Sequence, residues 1–365
     1  MAAAAAALAA AATGKGTEEA YAKAARAGKA ARSAAAADRC LVDIPTARLR
    51  NIGNSCYMNA TMQLLAAIPG FKNKFDELVM IYLEQPTPYD ASDVALRETA
   101  GNFFLRFDDF LKSLWVRRHS HDPEVSTAPA LLRACLHAPF DGSNQEDAED
   151  FLLYILDRIE SDSGHARWLA WHSLFLGETA SKSTCSNCKS ADETVHEHFL
   201  NLKLAVPSTP GAARVGIISL CSLIHDNYLT PAMLTGQNQG HCSKCRGKFD
   251  AQRVTNFTQL PPILLCSLSR FDQLGNKVLT PVSIEQVAIV AGVTYDLFGI
   301  IVHSGLTKRE GHYFSYIIGS TIGQQPQWFC ANDADVSAVS TEHIRKSCLG
   351  GILGETPYLV VFCRR

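Results

Sequence analysis

Three kinds of residue in this chain are spaced for chemistry. Cys56 opens an apolar helical segment in "NIGNSCYMNA", behind a Gly53-Asn54-Ser55 turn. A thiol at the start of a helix sits near unpaired backbone N–H groups and the positive end of the helix dipole, which favour the thiolate. Asn51, five residues earlier, is placed to offer a side-chain amide to an oxyanion. For a lone cysteine, plain packing is the simpler reading, so the rest of the chain has to decide.

A nucleophilic thiol needs a base, and the base needs an orienting partner on its far nitrogen. "GHYFSY" puts His312 at the mouth of an extended segment, after the turn "SGLTKREG". "WFCANDADV" puts Asn332 and Asp333 on the next one, so a single β-hairpin can present His312 and Asn332 side by side. An isolated histidine before a tyrosine more often has a structural role. Two further pairs, "CSNC" (Cys185, Cys188) and "CSKC" (Cys242, Cys245), are knuckles of the kind that close a tetrahedral zinc site. The distance between them far exceeds that of a compact zinc ribbon, and such cysteines can also outlast a lost metal. His196 and His241 lie nearby, but four thiolates already satisfy the ion. With no secretory signal, the 12 cysteines do not read as a disulfide framework. Cys40, Cys135, Cys221, Cys266, Cys330, Cys348 and Cys363 read as buried small hydrophobes or surface thiols.

These residues must be positioned by the elements around them. The 365 residues are 47% hydrophobic and 19% charged with a net charge of −2, which suits one large domain or two small ones. The near-neutral balance argues against nucleic-acid binding, and no run of 18 strongly apolar residues suggests a membrane span. Residues 1–40 are alanine-rich and offer little bulk to bury, so they read as a disordered or fraying tail. The run lacks the h-region of a secretory signal, and Glu18 and Glu19 weaken a mitochondrial presequence.

From Cys56, the spacing of Met58, Met62, Leu65 and Ile68 predicts a helix closed by Pro69-Gly70. Helical patterns continue to about residue 165. The clearest is "SNQEDAEDFLLYILDRIE", with Ser143 and Glu146 as a capping box and Ala148, Phe151, Ile155 and Ile159 as the apolar face. After about residue 170, "ETVHEHFLNLKLAV", "FDAQRVTNFTQLPPILLCSLSRF", "TYDLFGIIVHSG", "GHYFSYIIG", "QWFCA" and "YLVVFC" read as strands. A helical patch near Leu220–Tyr228 interrupts a polar stretch at 207–240. Helices first and strands later give an α+β class.

In order along the chain, "LRNIGNSCYMNA", "NQEDAEDFL", "YDLFGIIVHSGLTKREGHYFSYI" and "WFCANDADV" resemble the Cys box, the Gln-Asp-Ala box and the His box of the ubiquitin-specific proteases. "LPPILLCSLSRF" and "TPYLVVFCRR" resemble core strands of that family, and the resemblance covers roughly residues 46–365. It implies a papain-like fold with a helical thumb (about 46–165), zinc-bearing fingers (about 170–265) and a β palm from the remaining strands. Cys56 would be the nucleophile, His312 the general base and Asn332 the residue that orients the imidazole. Asp333 would assist the oxyanion or the triad, and Asn51 would be the oxyanion donor. Asp147 matches an acidic position that grips an arginine of ubiquitin's C-terminal tail, and Gln145 a residue beside the cleft; a carboxylate can pair with guanidinium in bidentate fashion. Glu146, Glu149 and Asp150 read simply as favourable charge in a helix's first turn. His303 matches a cleft position, with packing an equal alternative.

The resemblance further implies a structural zinc on Cys185, Cys188, Cys242 and Cys245. Its partners would be ubiquitin and ubiquitinated proteins, with no nucleic acid and no membrane, inside the cell in cytoplasm or nucleus. Ser55, Ala60, Glu146 and Ser269 depart from the commoner Thr, Ser, Gln and Lys, while the catalytic set is intact. Two alternatives are a non-catalytic ubiquitin-binding scaffold and a protease of this fold acting on a ubiquitin-like modifier.

Overall fold

In the computed structural model, the described residues are 47–84, 103–117, 128–163, 173–208, 216–272, 274–307, 310–319, 326–350, 352 and 354–365. The alanine-rich segment 1–40 lies outside them. The chain forms two compact units: Met1–Leu174 with Phe298–Ile344, and Phe175–Leu297 with Arg345–Arg365.

Among the described residues, the first unit begins with five helices: α1 (Cys56–Ala67), α2 (Phe71–Glu84), α3 (Phe103–Arg117), α4 (Ala128–Arg133) and α5 (Ala148–Ser163). All 12 residues of α1 are buried, so it is a central helix rather than an amphipathic surface one. Ile68 ends it and Gly70 follows with φ 78, as the Pro69-Gly70 signal predicts. Phenylalanines spaced along α2 and α3 mesh around it, with Phe75 within 5.0 Å of Phe104 and 5.3 Å of Phe107, ring centre to ring centre. Tyr57 of α1 meets Phe151 of α5 edge-on at 5.2 Å.

The capping box at Ser143 and Glu146 is not what starts α5. Asp147 Oδ1 accepts the N–H groups of Glu149 (2.8 Å) and Asp150 (3.3 Å), while the Ser143 hydroxyl turns to Asp141 at 2.6 Å. Aspartate is as good a cap as serine, and the apolar face can begin only at Ala148, so the nearer residue takes the position.

The second unit opens with an antiparallel sheet ordered β2-β1-β8-β5, formed by β1 (Gly177–Cys185), β2 (Val195–Phe199), β8 (Ala251–Gln259) and β5 (Ala232–Leu234). Between them in sequence lie β3 (Asn201–Ala205), β4 (Ile218–Ser219), the hairpin β6 (Gly240–Cys242) and β7 (Gly247–Phe249), and α6 (Leu220–Ile224), which runs on as one π-type turn at His225–Leu229. β9 (Ile263–Ser269) pairs parallel with β3 and antiparallel with β16 (Thr356–Arg364). Six of its seven residues are buried, which is why "ILLCSLS" reads as a continuous apolar run rather than an alternation. Arg270, at its end, is fully buried and donates to the carbonyls of Pro357, Val278 and Thr280. β10 (Val282–Ser283) pairs with β4, and β11 (Val287–Val290) with the first residues of β12 (Val293–Ser304).

The rest of β12 belongs to the first unit, where β13 (His312–Gly319), β14 (Gln327–Asn332) and β15 (Asp335–Val339) follow it as an antiparallel meander. Helix α1 lies against this sheet. A Cβ on Gly299 would stand 2.3 Å from Leu64 Cδ1, so only glycine lets helix and strand approach this closely. No helix among the described residues is long and apolar enough to cross a membrane.

Candidate active site

Four chain segments of the first unit converge at Cys56: the loop before α1, α1 itself, the start of β13 and the β14–β15 turn. Cys56 is 2% exposed at the first position of α1. The preceding residue, Ser55, occupies the cap position, but its side chain does not cap the helix. Instead Ser55 Oγ donates to Asn51 Oδ1 (3.1 Å) and accepts the N–H of Ile52 (2.9 Å). The N–H of Gly53 also donates to Asn51 Oδ1, at 3.0 Å. Gly53 (φ 85) and Asn54 (φ 47) both take left-handed backbone, so the chain reverses tightly just before the thiol. Diverting the serine leaves the first helical N–H groups without a side-chain acceptor beside the thiol.

The β13–β14 hairpin brings His312 and Asn332 together. His312 Nε2 lies 2.6 Å from Asn332 Oδ1. An amide oxygen only accepts, so Nε2 carries the proton and Nδ1 is left as the ring nitrogen that serves Cys56. The imidazole pKa is raised to about 9, above all by a hydrogen bond with Cys56. Burial opposes the shift, while Asn332 and the charges of Cys56 and Asp333 support it. Hydrogen bonding and nearby negative charge thus favour the charged imidazole over the neutral one.

Asp333 binds the segments to one another. It has φ 52, a left-handed conformation that aspartate tolerates better than most residues. Its Oδ2 accepts from Asn51 Nδ2 at 2.9 Å and lies 3.9 Å from His312 Nε2. Its Oδ1 accepts from Asn59 Nδ2 at 2.7 Å, and its backbone carbonyl accepts the N–H of Leu49 at 3.0 Å. Gln63, one turn beyond Asn59, donates to Ala47 O (3.0 Å) and reaches Asp333 O (3.5 Å). Asn59 and Gln63 are each 1% exposed on a mostly apolar helix, and both amides reach Asp333.

The sequence reading named Cys56, His312, Asn332, Asn51 and Asp333, and the structure brings all five together. Asn59 and Gln63 are not among them. The signal for these two was present: two amides at i and i+4 inside a buried helix need buried partners. Asp147 is 5% exposed and engaged as the α5 cap, and Gln145 precedes it in the loop. His303 is 1% exposed and packs against Tyr313 with ring centres 4.7 Å apart, and its ring lies where a Cβ on Gly311 would fall.

In the second unit, the sulfurs of Cys185, Cys188, Cys242 and Cys245 all lie within 4.8 Å of one another. Cys188 and Cys242 are 3.6 Å apart. Tetrahedral thiolates at about 2.3 Å from zinc stand roughly 3.8 Å apart, so four sulfurs clustered this closely are a donor set suited to that ion. The backbone N–H of Cys245 and the Asn187 amide point at the sulfurs of Cys242 and Cys245, at 3.4 and 3.5 Å.

Comparison with known proteins agrees with this geometry. The chain is 26% identical over 347 residues to ubiquitin carboxyl-terminal hydrolase 25 of Arabidopsis thaliana, covering 88% of this chain and 47% of that protein. It is 24% identical over 342 residues to ubiquitin carboxyl-terminal hydrolase 17-like protein D of Mus musculus, covering 88% and 55%. The chain thus spans about half the length of these curated relatives. Among solved structures, it superposes on a chain of the SAGA DUB module (Ubp8, Sgf11, Sus1 and Sgf73) bound to monoubiquitin. The TM-score is 0.68 at 21% identity, over 92% of this chain and 75% of that one. A second structure of the module, bound to ubiquitin aldehyde, gives 0.65 at 20% identity over 89% and 71%. The sequence model titled "Ubiquitin carboxyl-terminal hydrolase" matches residues 47–362, and the chain belongs to that family.

Proposed function

We propose that this chain is a deubiquitinating thiol protease that hydrolyses the peptide or isopeptide bond after ubiquitin's C-terminal glycine. The observation that carries this reading is the 2.6 Å pairing of His312 with Asn332 in the same compact unit as Cys56. Cys56 Sγ attacks the glycine carbonyl carbon, and the carbonyl oxygen gains the negative charge. Asn51 Nδ2 and the N–H at the start of α1 meet that charge. Asn51 is already fixed by Asp333 and Ser55, so it meets the oxyanion without first reorganising. His312 gives its proton to the departing lysine amine, the thioester remains on Cys56, and water attacks it with His312 as base. Asn332 keeps the imidazole in the tautomer this sequence needs.

Gln145 and Asp147 would line the approach of the ubiquitin tail. A carboxylate has about four lone-pair sites, so Asp147 can cap α5 and still meet an arginine. A zinc on Cys185, Cys188, Cys242 and Cys245 would cross-link β1, the β6–β7 hairpin and the turn after β1, which have little apolar core of their own. Ubiquitin conjugates as substrates place the protein inside the cell, in cytoplasm or nucleus.

The direct test is cleavage of a ubiquitin–lysine isopeptide substrate. Wild type should turn it over and Cys56→Ala should not. Asn51→Ala should lower kcat on the order of 100-fold while ubiquitin binding, read by calorimetry, changes little. Binding without turnover by the wild type would show a scaffold instead, and preference for a ubiquitin-like modifier would move the assignment to that substrate.

The raised His312 pKa sets a pH dependence with a definite sign. The imidazolium persists through neutral pH, and kcat/KM should fall as pH rises through about 9. Asn332 contributes to the elevation, so Asn332→Ala should move that alkaline limb to lower pH; an unchanged limb would contradict the pairing. For zinc, native mass spectrometry should find one ion per chain, lost in Cys188→Ser together with a fall in Tm. A metal-free wild type would rule the ion out.

A further inference from the structure

The loop that precedes the nucleophile is held from outside by an arginine. Arg133, the last residue of α4, donates from Nη1 to the carbonyl of Ile52 at 3.0 Å and from Nη2 to the carbonyl of Gly53. It is 81 residues from Ile52 in sequence, so this is a tertiary cross-link rather than a local turn. Room for the guanidinium is provided at Gly142: a Cβ there would stand 2.6 Å from Arg133 Cζ and 2.7 Å from Nε.

The direction of those two carbonyls decides what faces the reaction. In a trans peptide the C=O and the following N–H point opposite ways. With the Ile52 carbonyl turned to Arg133, the Gly53 N–H points away from it, and it is found on Asn51 Oδ1 at 3.0 Å. The same rule applied to the Gly53 carbonyl turns the Asn54 N–H away from Arg133. The peptide joining Gly53 (φ 85) and Asn54 (φ 47) lies between two left-handed residues, one of them glycine, and is the easiest in the loop to flip. A flip would place a carbonyl dipole where the oxyanion forms.

We infer that Arg133 is a positioning residue for the thiol-protease reaction: it holds the Ile52 and Gly53 carbonyls away from the oxyanion, so that N–H groups and the Asn51 amide face it instead. This inference rests on the deubiquitinase reading above. The hydrogen bonds of Arg133 go to loop carbonyls, so it acts through the loop. Its effect is therefore on the acyl-transfer step, where negative charge develops on oxygen. A displacement at saturated carbon, such as alkylation of Cys56 by iodoacetamide, develops no oxyanion and depends only on the thiol and His312.

The experiment compares wild type, Arg133→Gln and Arg133→Lys in three measurements: kcat and KM on a fluorogenic ubiquitin C-terminal amide, the rate of Cys56 alkylation by iodoacetamide, and Tm. Arg133→Gln should lower kcat roughly 10- to 100-fold, the scale of a weakened oxyanion site, with KM and alkylation nearly unchanged. Arg133→Lys, which can hold one carbonyl at a time, should fall between the two and remains informative if the glutamine variant does not fold. A kcat within twofold of wild type in both variants overturns the inference. So does a parallel fall in kcat and alkylation, because that marks general damage to the Cys56 region. A wild type that turns over no ubiquitin substrate fails the functional reading and the inference with it, whereas an active wild type with unchanged variants overturns the inference alone.

Discussion

The carboxylate of Asp333 is the point on which the geometry of the candidate site depends. The proposed nucleophile and base lie far apart in sequence, Cys56 on a helix and His312 on a hairpin, and each could be well folded yet misaligned with the other. Asp333 joins them by accepting Asn59 from the helix and Asn51 from the loop on separate oxygens. Its backbone carbonyl takes Leu49 from the strap that leads into the site. A left-handed φ at a residue with a side chain costs of the order of a kcal/mol, and here it turns the carboxylate back toward the helix. The cost is met by hydrogen bonds with little competition from water, since the Asp333 side chain is 14% exposed.

A division of labour follows from this. Asn332 faces the imidazole and fixes its tautomer, while its neighbour Asp333 faces the helix and fixes the distance. Two adjacent polar residues in a turn thus serve different partners, and of the two only Asn332 lies within hydrogen-bonding range of His312. The loop before Cys56 follows the same principle. Ser55 gives up the capping role its position invites and braces Asn51, leaving helical N–H groups for the reaction. Arg133 keeps the neighbouring carbonyls turned away.

Much of this was legible in the residues before any coordinates. The 3.6-residue spacing after Cys56, the alternation in "GHYFSYIIG" and the short turn before "WFCANDADV" are local signals, and they located the helix, the hairpin and the pairing of His312 with Asn332. Local rules failed where two neighbouring residues competed for one job. Ser143 and Asp147 both suit a helix cap, and the choice depended on where Ala148 could bury. Arg133 was invisible for a different reason: its partners are backbone carbonyls, which carry no residue type for a sequence to display. The four cysteines announced a metal site, but their mutual approach depends on hairpins whose registers no spacing rule provides.

The central claim is that Cys56 is an activated nucleophile directed at the end of ubiquitin. The most direct measurement is peptide mapping by mass spectrometry after reaction with a ubiquitin bearing a C-terminal electrophile. The account predicts a single adduct, on Cys56, in spite of 11 other cysteines in the chain, and its loss in His312→Ala. An adduct spread over other cysteines, or one on Cys56 that survives the loss of His312, would contradict it.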